Sequence, residues 1–142
     1  MNKILNEIIG LKVNEAISGG GAGSILKIKL GNGTHFMIYT EWRIEKEGKI
    51  IVTSYDSIDP DEGLIPQKIK ELSGKEIEKV ELTQQNDLML HFSQGYLLHV
   101  FSLVSYSDTS YIGHNWEYNI PDKNLSLVVD RNFELKVEGY DE

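Results

Sequence analysis

The segment LKIKLGNG at residues 26–33 recurs, with altered letters, as LMLHFSQG at residues 88–95. In both segments large apolar residues occupy alternate positions before a turn that contains glycine, and apolar strands follow at residues 36–39 and 98–101. A glycine and a β-type stretch also lie upstream of each copy. A unit longer than about 50 residues that occurs twice is typical of a duplicated sheet, because a solenoid needs about three units.

The two copies predict the same hairpin register. If residues 31–33 form a three-residue loop with Gly33 in the left-handed region, apolar side chains pair on one face of the hairpin. A two-residue loop would offset this match, and the second copy supports the same choice with its loop at residues 93–95. The predicted pairs are Leu26 with Ile38 and Ile28 with Phe36 in the first copy, and Leu88 with Val100 and Leu90 with Leu98 in the second.

Short alternating strands and two short helices are predicted outside these hairpins. Asn2 is a predicted cap for an opening helix, and Pro66 is predicted to begin a second helix at its favoured first position. Residues 130–132 are predicted to turn between the last two strands. About ten strands predict a mainly β (α+β) fold with antiparallel pairing, as a sandwich or a half-barrel built from two tandem β-meander repeats.

The predicted organisation is a single domain over residues 1–142, a length typical of one folding unit. Within it, the internal repeats are predicted at residues 9–54 and 73–118, and a C-terminal hairpin at residues 124–138.

The composition restricts the classes of partner and compartment. The chain has 142 residues, a net charge of −8 and no cysteine. An anionic surface repels phosphate backbones, so direct nucleic-acid binding is disfavoured, whereas a basic protein would be attracted. The N-terminal segment lacks the apolar core of a secretory signal, and no apolar run reaches the ~20 residues of a membrane span. We therefore expect a cytoplasmic protein that does not bind membranes.

No motif for catalysis, metal or cofactor binding is present in the sequence. The glycine-rich residues 18–23 match neither phosphate-binding pattern and predict a hairpin loop. His91 and His99 are only diagonal neighbours in the predicted register, whereas zinc takes three or four converging ligands. A calcium loop that began at Asp59 would need glycine at its sixth position and has Leu64 there. We expect no catalytic residues, no metal and no cofactor, and so no enzyme.

Exposed aromatic and acidic residues are the candidates for partner binding. Tyrosine buries a large area at little entropic cost, and carboxylates pair with lysine or arginine on a basic partner. Trp42 and Trp116 are predicted instead to close the core. The predicted partner-binding residues are Tyr55, Asp56, Asp59, Asp61, Glu62, Tyr106 and Tyr111.

The duplicated glycine, strand and hairpin pattern over roughly residues 8–118 resembles a family of small uncharacterised bacterial domains. The chain is also similar to the small acidic immunity proteins of polymorphic or contact-dependent toxin systems, including the wall-associated-protein immunity type. That resemblance implies an antitoxin that neutralises a cognate toxin domain, such as a basic nuclease, by steric and electrostatic blocking. It brings no functional residues with it. The alternative is a small-ligand-binding β-barrel domain, because antiparallel barrels enclose one small ligand.

Overall fold

Two antiparallel sheets form the architecture of this computed structural model, which describes residues 2–18, 25–105 and 114–139. The predicted mainly β fold is confirmed, and two open sheets favour the sandwich over the half-barrel. Within the described ranges the strands are β1 (Val13–Ile17), β2 (Leu26–Leu30), β3 (His35–Ile38), β4 (Glu41–Lys46), β5 (Lys49–Thr53), β6 (Ile77–Leu82), β7 (Leu88–Phe92), β8 (Tyr96–Phe101), β9 (Trp116–Ile120), β10 (Leu125–Val129) and β11 (Leu135–Gly139).

The predicted register of both repeated hairpins is confirmed. In the β2–β3 hairpin Leu26 lies opposite Ile38 and Ile28 opposite Phe36, and Gly33 has a φ of +89°. The β7–β8 hairpin shows the equivalent pairs, Leu88 with Val100 and Leu90 with Leu98. Large apolar side chains therefore share one face of each hairpin and are buried between the sheets.

The sheet topology exchanges strands between the two halves of the chain. One sheet has the order β1-β2-β3-β9-β10-β11, and the other has the order β5-β4-β8-β7-β6. After β3 the chain passes to the other sheet, where β4 pairs with β8. After β8 the chain passes back, and β9 pairs with β3. Each half thus begins one sheet with a three-strand meander and completes the other sheet.

The strand orders relate β1–β5 to β6–β10 as two equivalent halves, and the bridge between Lys12 and Glu76 lies at the centre of this twofold relation. The hydrogen bonds around this bridge come in symmetric pairs, which join the starts of β1 and β6. They are Gly10 N to Ile77 O and Gly74 N to Val13 O, both 2.8 Å, and Val13 N to Lys75 O and Ile77 N to Leu11 O, at 2.9 and 2.8 Å. β11 has no counterpart in the first half and lies outside this symmetry.

The two tryptophans occupy equivalent positions in the exchanged strands. Trp42 of β4 lies opposite Val100, and Trp116 of β9 lies opposite Ile38. Their exposed fractions are 1% and 0%, so the prediction that both belong to the core is confirmed. Phe36 packs against the ring of Trp116 with a centroid distance of 6.3 Å. Aromatic side chains of this size supply a large share of the buried apolar area.

Two short helices pack against the core of the sandwich. In α1 (Lys3–Asn6) the side chain of Asn2 accepts hydrogen bonds from Ile4 N and Leu5 N, so the predicted cap is confirmed. The second helix, α2 (Leu64–Ile69), continues into a 3₁₀ turn at Lys70–Leu72. It begins two residues before Pro66, because Gly63 is its cap, and the predicted start was wrong. No helix in the described ranges is both long and apolar enough to span a bilayer.

The predicted loop of the C-terminal hairpin was also wrong, by one residue. Asp130 N donates to Glu134 O, so the three-residue loop is Arg131–Phe133. Phe133 takes the left-handed position with a φ of +65°, a conformation that a bulky residue rarely adopts. The strands consequently pair Val129 with Leu135 rather than with Phe133.

The buried side-chain amide of Asn115 fixes one of the two passages, the chain segments that leave one sheet and enter the other (from β3 to β4 and from β8 to β9). Asn115, which has no exposed surface, precedes β9. Its Oδ1 accepts from Val104 N at 2.8 Å, and its Nδ2 donates to Val104 O and Asp130 O at 3.0 and 2.9 Å. Its backbone oxygen accepts from Tyr39 N and Thr40 N, at the other passage. One side chain and one peptide therefore join both passages.

Replacement of this amide should destabilise the fold. Asn115→Ala leaves the Val104 N–H and two carbonyls without their partner, and we expect the free energy of unfolding to fall by about 2–3 kcal/mol. The measurement is urea unfolding at constant m-value. Asn14→Ala, at an exposed position of β1, is the matched control and should change stability by less than about 0.5 kcal/mol. Equal losses from the two variants would contradict the role assigned to Asn115.

Candidate functional site

An apolar patch lies exposed on the outer side of the five-stranded sheet. We call it the Tyr55 patch and define it by Ile50, Tyr55, Phe101 and Leu103, which line a shallow cavity of about 290 Å³. Tyr55 is 83% exposed, Leu103 62% and Ile50 55%. Large apolar side chains that cluster at a surface mark binding sites more often than scattered ones do.

The sheet fixes the ring of Phe101 at the centre of this patch. The imidazole of His99 stacks on the Phe101 ring at 4.1 Å, and the Arg43 guanidinium lies 5.2 Å from the ring centroid. Burial, and then the positive charge of Arg43, lower the pKa of His99, which favours its neutral form. Arg43 also bonds to Glu45. These contacts hold the ring in one orientation, which lowers the entropy lost on binding.

Hydrogen bonds of Ser54 connect β4 to the residues that carry the patch. Ser54 Oγ accepts from Trp42 N and donates to the carboxylate of Glu41, and both Ser54 and Glu41 line the cavity. The start of the loop after β5 is therefore tied to β4. Tyr55 follows directly, so its ring is presented at the end of an ordered strand.

The acidic loop, residues 55–63, begins at this patch, and two of its carboxylates are used within it. Asp56 Oδ2 accepts from Thr53 N at 2.8 Å. Asp59 Oδ1 accepts from Asp61 N at 2.8 Å and from Glu62 N at 3.1 Å. The bonds from Asp61 N and Glu62 N lower the pKa of Asp59, because they favour its charged form.

Asp61 and Glu62 contribute only their backbone N–H groups to these bonds, and both residues are exposed. The four predicted acidic residues thus divide into two that shape the loop, Asp56 and Asp59, and two that are available to a partner. The sequence pattern did not separate these two roles. Aspartate often forms a turn in which its side chain accepts from the backbone N–H two residues later, and Asp59 does so with Asp61 N.

Gly63 closes the loop by a close backbone approach. Gly63 N donates to Asp59 O at 2.8 Å, and Ile65 N donates to Ser57 O at 3.2 Å. A Cβ at residue 63 would lie 2.4 Å from Ser57 O and 2.6 Å from Asp59 O. Only glycine fits without a shift of the loop backbone.

Two predicted tyrosines cannot be placed on this surface, because Tyr106 and Tyr111 lie outside the described residues, as do residues 19–24 of the glycine-rich segment. Three residues of the patch were not predicted. Ile50 and Phe101 belong to alternating strands and resemble core residues in sequence. Ile50 is exposed beside a β-bulge between Ile44 and Glu45, and a bulge has no clear sequence signal.

Polar clusters elsewhere in the described ranges do not form a recognisable catalytic arrangement. On the outer side of the six-stranded sheet, Ser126 Oγ donates to Asn119 Oδ1, and the Asn119 amide nitrogen lies 3.2 Å from His35 Nε2. Burial, followed by Lys27 and Lys29, lowers the pKa of His35. Ser126 bonds to an amide and not to a base, so it is not activated as a nucleophile. No group of three or more metal-ligating side chains occurs among the described residues.

Comparison of the chain with protein-family models, with curated proteins and with solved structures gave no match.

A methyl group at residue 63 should disorder the acidic loop. We expect Gly63→Ala to lower the free energy of unfolding by about 1–3 kcal/mol and to increase hydrogen exchange at the amides of residues 63 and 65. Gly31→Ala is the matched control, because its Cβ would meet Lys12 O at an ordinary 3.7 Å. Unchanged exchange in Gly63→Ala would contradict the close approach described for Ser57 and Asp59.

Proposed function

We propose that this chain is an immunity protein that binds and neutralises a bacterial toxin domain, with the Tyr55 patch and the acidic loop as its contact surface. The observation that carries the proposal is the position of an exposed aromatic and aliphatic patch at the start of a loop of ordered carboxylates. Buried aromatic anchors surrounded by charged residues are typical of protein interfaces.

The apolar patch accounts for affinity in this proposal. Tyr55 and Leu103 offer the most exposed apolar side chains of the surface, and Phe101 is already held in place by His99 and Arg43. A partner that covers them gains the free energy of apolar burial without ordering the centre of the patch. The partner therefore presents an apolar side chain at the corresponding position.

In this proposal the carboxylates account for specificity toward a basic partner. The net charge of −8 attracts a basic protein over a distance, and Asp61 and Glu62 are exposed in the loop that begins at Tyr55, where they can pair with lysine or arginine. Nuclease toxins carry a basic face because their substrate is a polyanion. An acidic protein on that face would block substrate access sterically and by charge. Such a complex forms in the cytoplasm, where we place the protein.

The small-ligand alternative has no observation in its favour. Between the sheets the space is occupied by buried side chains, among them Phe36, Trp42, Phe92 and Trp116. A ligand-binding barrel instead keeps an interior cavity lined by apolar and a few polar groups. The alternative stays an untested prediction.

The first experiment tests neutralisation. We expect co-expression of this chain to restore growth of cells that produce the toxic protein encoded by the neighbouring open reading frame, and the two purified proteins to form a stoichiometric complex. The measurements are colony counts and calorimetric titration. Failure to protect, with both proteins expressed, would overturn the proposed function.

The second experiment tests the contact surface on the same complex. Tyr55→Ala should weaken binding about 30-fold, the equivalent of about 2 kcal/mol for an interface anchor. The double change Asp61→Lys and Glu62→Lys should slow association about tenfold and reduce its dependence on salt.

The matched controls are at exposed positions outside this surface. Ile9→Ala removes an apolar side chain that is 46% exposed, and Glu78→Lys changes the charge on β6, four strands away from β5. Both should bind as the unmodified chain does. Neutralisation that survives all patch and loop substitutions would show that another face makes the contact.

A further inference from the structure

Three of the four sheet edges in the described part of the chain contain a register shift, and the fourth, β11, does not. The pairing of edge strands β1, β5 and β6 is interrupted by register shifts between Val13 and Glu15, Ile44 and Glu45, and Ile77 and Lys79. A bulge twists an edge and makes it a poor template for another strand. β11 pairs with β10 at five consecutive positions without a shift.

The edge of β5 is closed in a second way. Asp56 hydrogen-bonds both backbone groups of Thr53 at the outer edge of β5. Its Oδ2 accepts from Thr53 N, and its own N donates to Thr53 O. The starts of β1 and β6 are likewise joined to each other around the Lys12–Glu76 bridge. In the described part of the chain no strand pairs with the outer edge of β11.

The hydrogen bonds of the last hairpin define which backbone groups of β11 face outward. Asp130 N donates to Glu134 O, and Val129 O accepts from Asn115 N on the opposite side, so Val129 and Leu135 form a non-hydrogen-bonded pair. Bonded and non-bonded pairs alternate along an antiparallel ladder. The N–H and C=O groups of Leu135, Val137 and Gly139 therefore point away from β10.

The second half of β11 is exposed to solvent. It lies outside the twofold relation, and the opposing sheet has five strands instead of six. Lys136, Val137, Glu138 and Gly139 are all exposed, and Val137 is 53% exposed although it shares a face with the core residue Leu127. A regular strand exposed on both faces and along one edge is a site for sheet extension.

We propose that this edge binds a second copy of the chain, through antiparallel pairing of two β11 strands centred on Val137. This pairing places the outward-facing groups of residues 135, 137 and 139 opposite the same groups of the partner. It also places Lys136 of each copy opposite Glu138 of the other, on one face, in a non-hydrogen-bonded pair where side chains are closest. The charge pattern of β11 is therefore complementary to itself.

Both side chains of this pair have a contact within their own chain and are still accessible. Lys136 Nζ lies 2.9 Å from Asp130 Oδ2, Glu138 Oε1 lies 3.7 Å from His114 Nε2, and the Lys136 and Glu138 side chains are each 49% exposed. A twofold arrangement is closed, so the product is a dimer with one continuous sheet and not a fibre. The dimer does not use the Tyr55 patch, which lies on the other sheet, and it does not depend on the proposed function.

The test is sedimentation of the intact chain over a concentration series. We expect a monomer–dimer equilibrium with a Kd between about 10 µM and 1 mM, because the interface is small. Val137→Pro removes the outward N–H without removing a bond to β10, and it should reduce dimerisation at least tenfold. Glu138→Lys places like charges opposite each other and should also weaken the dimer.

The controls separate this edge from other surfaces and from misfolding. Val137→Thr keeps the N–H and the β-branched side chain, and Glu78→Lys makes the same charge change on β6; both should dimerise as the unmodified chain does. Circular dichroism and thermal unfolding check that each variant folds. The amide of Val137 should exchange more slowly as the concentration of the unmodified chain rises.

Two results would overturn the proposal. The first is an unmodified chain that stays monomeric up to about 1 mM. The second is a folded Val137→Pro variant that dimerises as strongly as the unmodified chain, which would place the contact on another surface, such as the Tyr55 patch.

Discussion

The pairing of β3 with β9 and of β4 with β8 joins the two halves of the chain, and the rest of the structure depends on it. The last strand of each three-strand meander, β3 or β8, has an edge that pairs with a strand of the other half and not of the same half. The exchanged strands close both edges, because they extend each meander, and they place Trp42 and Trp116 in the core. Such contacts join residues distant in sequence, so much of the loop-closure entropy is lost before the core is complete.

The exchange requires that the chain leave one sheet and enter the other with its backbone groups satisfied. At the passage from β3, Thr40 Oγ1 donates to Phe101 O, and at the passage from β8, Ser102 Oγ donates to Asn86 O. The same Asn86 oxygen accepts from Trp116 Nε1 at 3.0 Å. Among the described residues no buried side-chain nitrogen or oxygen is without a partner. These small polar side chains replace ladder bonds where the strands bend away from their sheets.

The hairpin registers could be predicted from the sequence where a glycine determines the type of turn. Gly33 set the loop of the first hairpin, and the apolar alternation on either side then allowed a single register. The same reasoning was wrong at the last hairpin because Phe133, a residue without left-handed preference, takes the position that glycine takes in the first. The assignment of strands to the two sheets could not be predicted, since β3 would pair equally well, on pattern alone, with β4 and with β9.

The candidate surface was only partly predictable for a related reason. Acidic residues were recognised by type, but whether a carboxylate faces a partner or bonds to its own loop, as Asp59 does, depends on backbone geometry. The exposure of Ile50 and Leu103 depends on what covers each strand, and an alternating pattern does not contain that information. Tyr55 was identified because it follows a strand directly and begins a polar loop.

Both proposed contact surfaces lie where the two halves of the chain differ. β5 leads into the acidic loop and α2, whereas β10 turns directly into β11. The passage from β3 to β4 takes two residues, Tyr39 and Thr40, whereas the chain after β8 runs through Leu103 before it reaches β9. The strands that have counterparts supply most of the core, although Ile50 of β5 and Phe101 of β8 also contribute to the Tyr55 patch. Tyr55, Leu103, the acidic loop and β11 lie outside those strands, where side chains are less constrained by the core and can serve recognition.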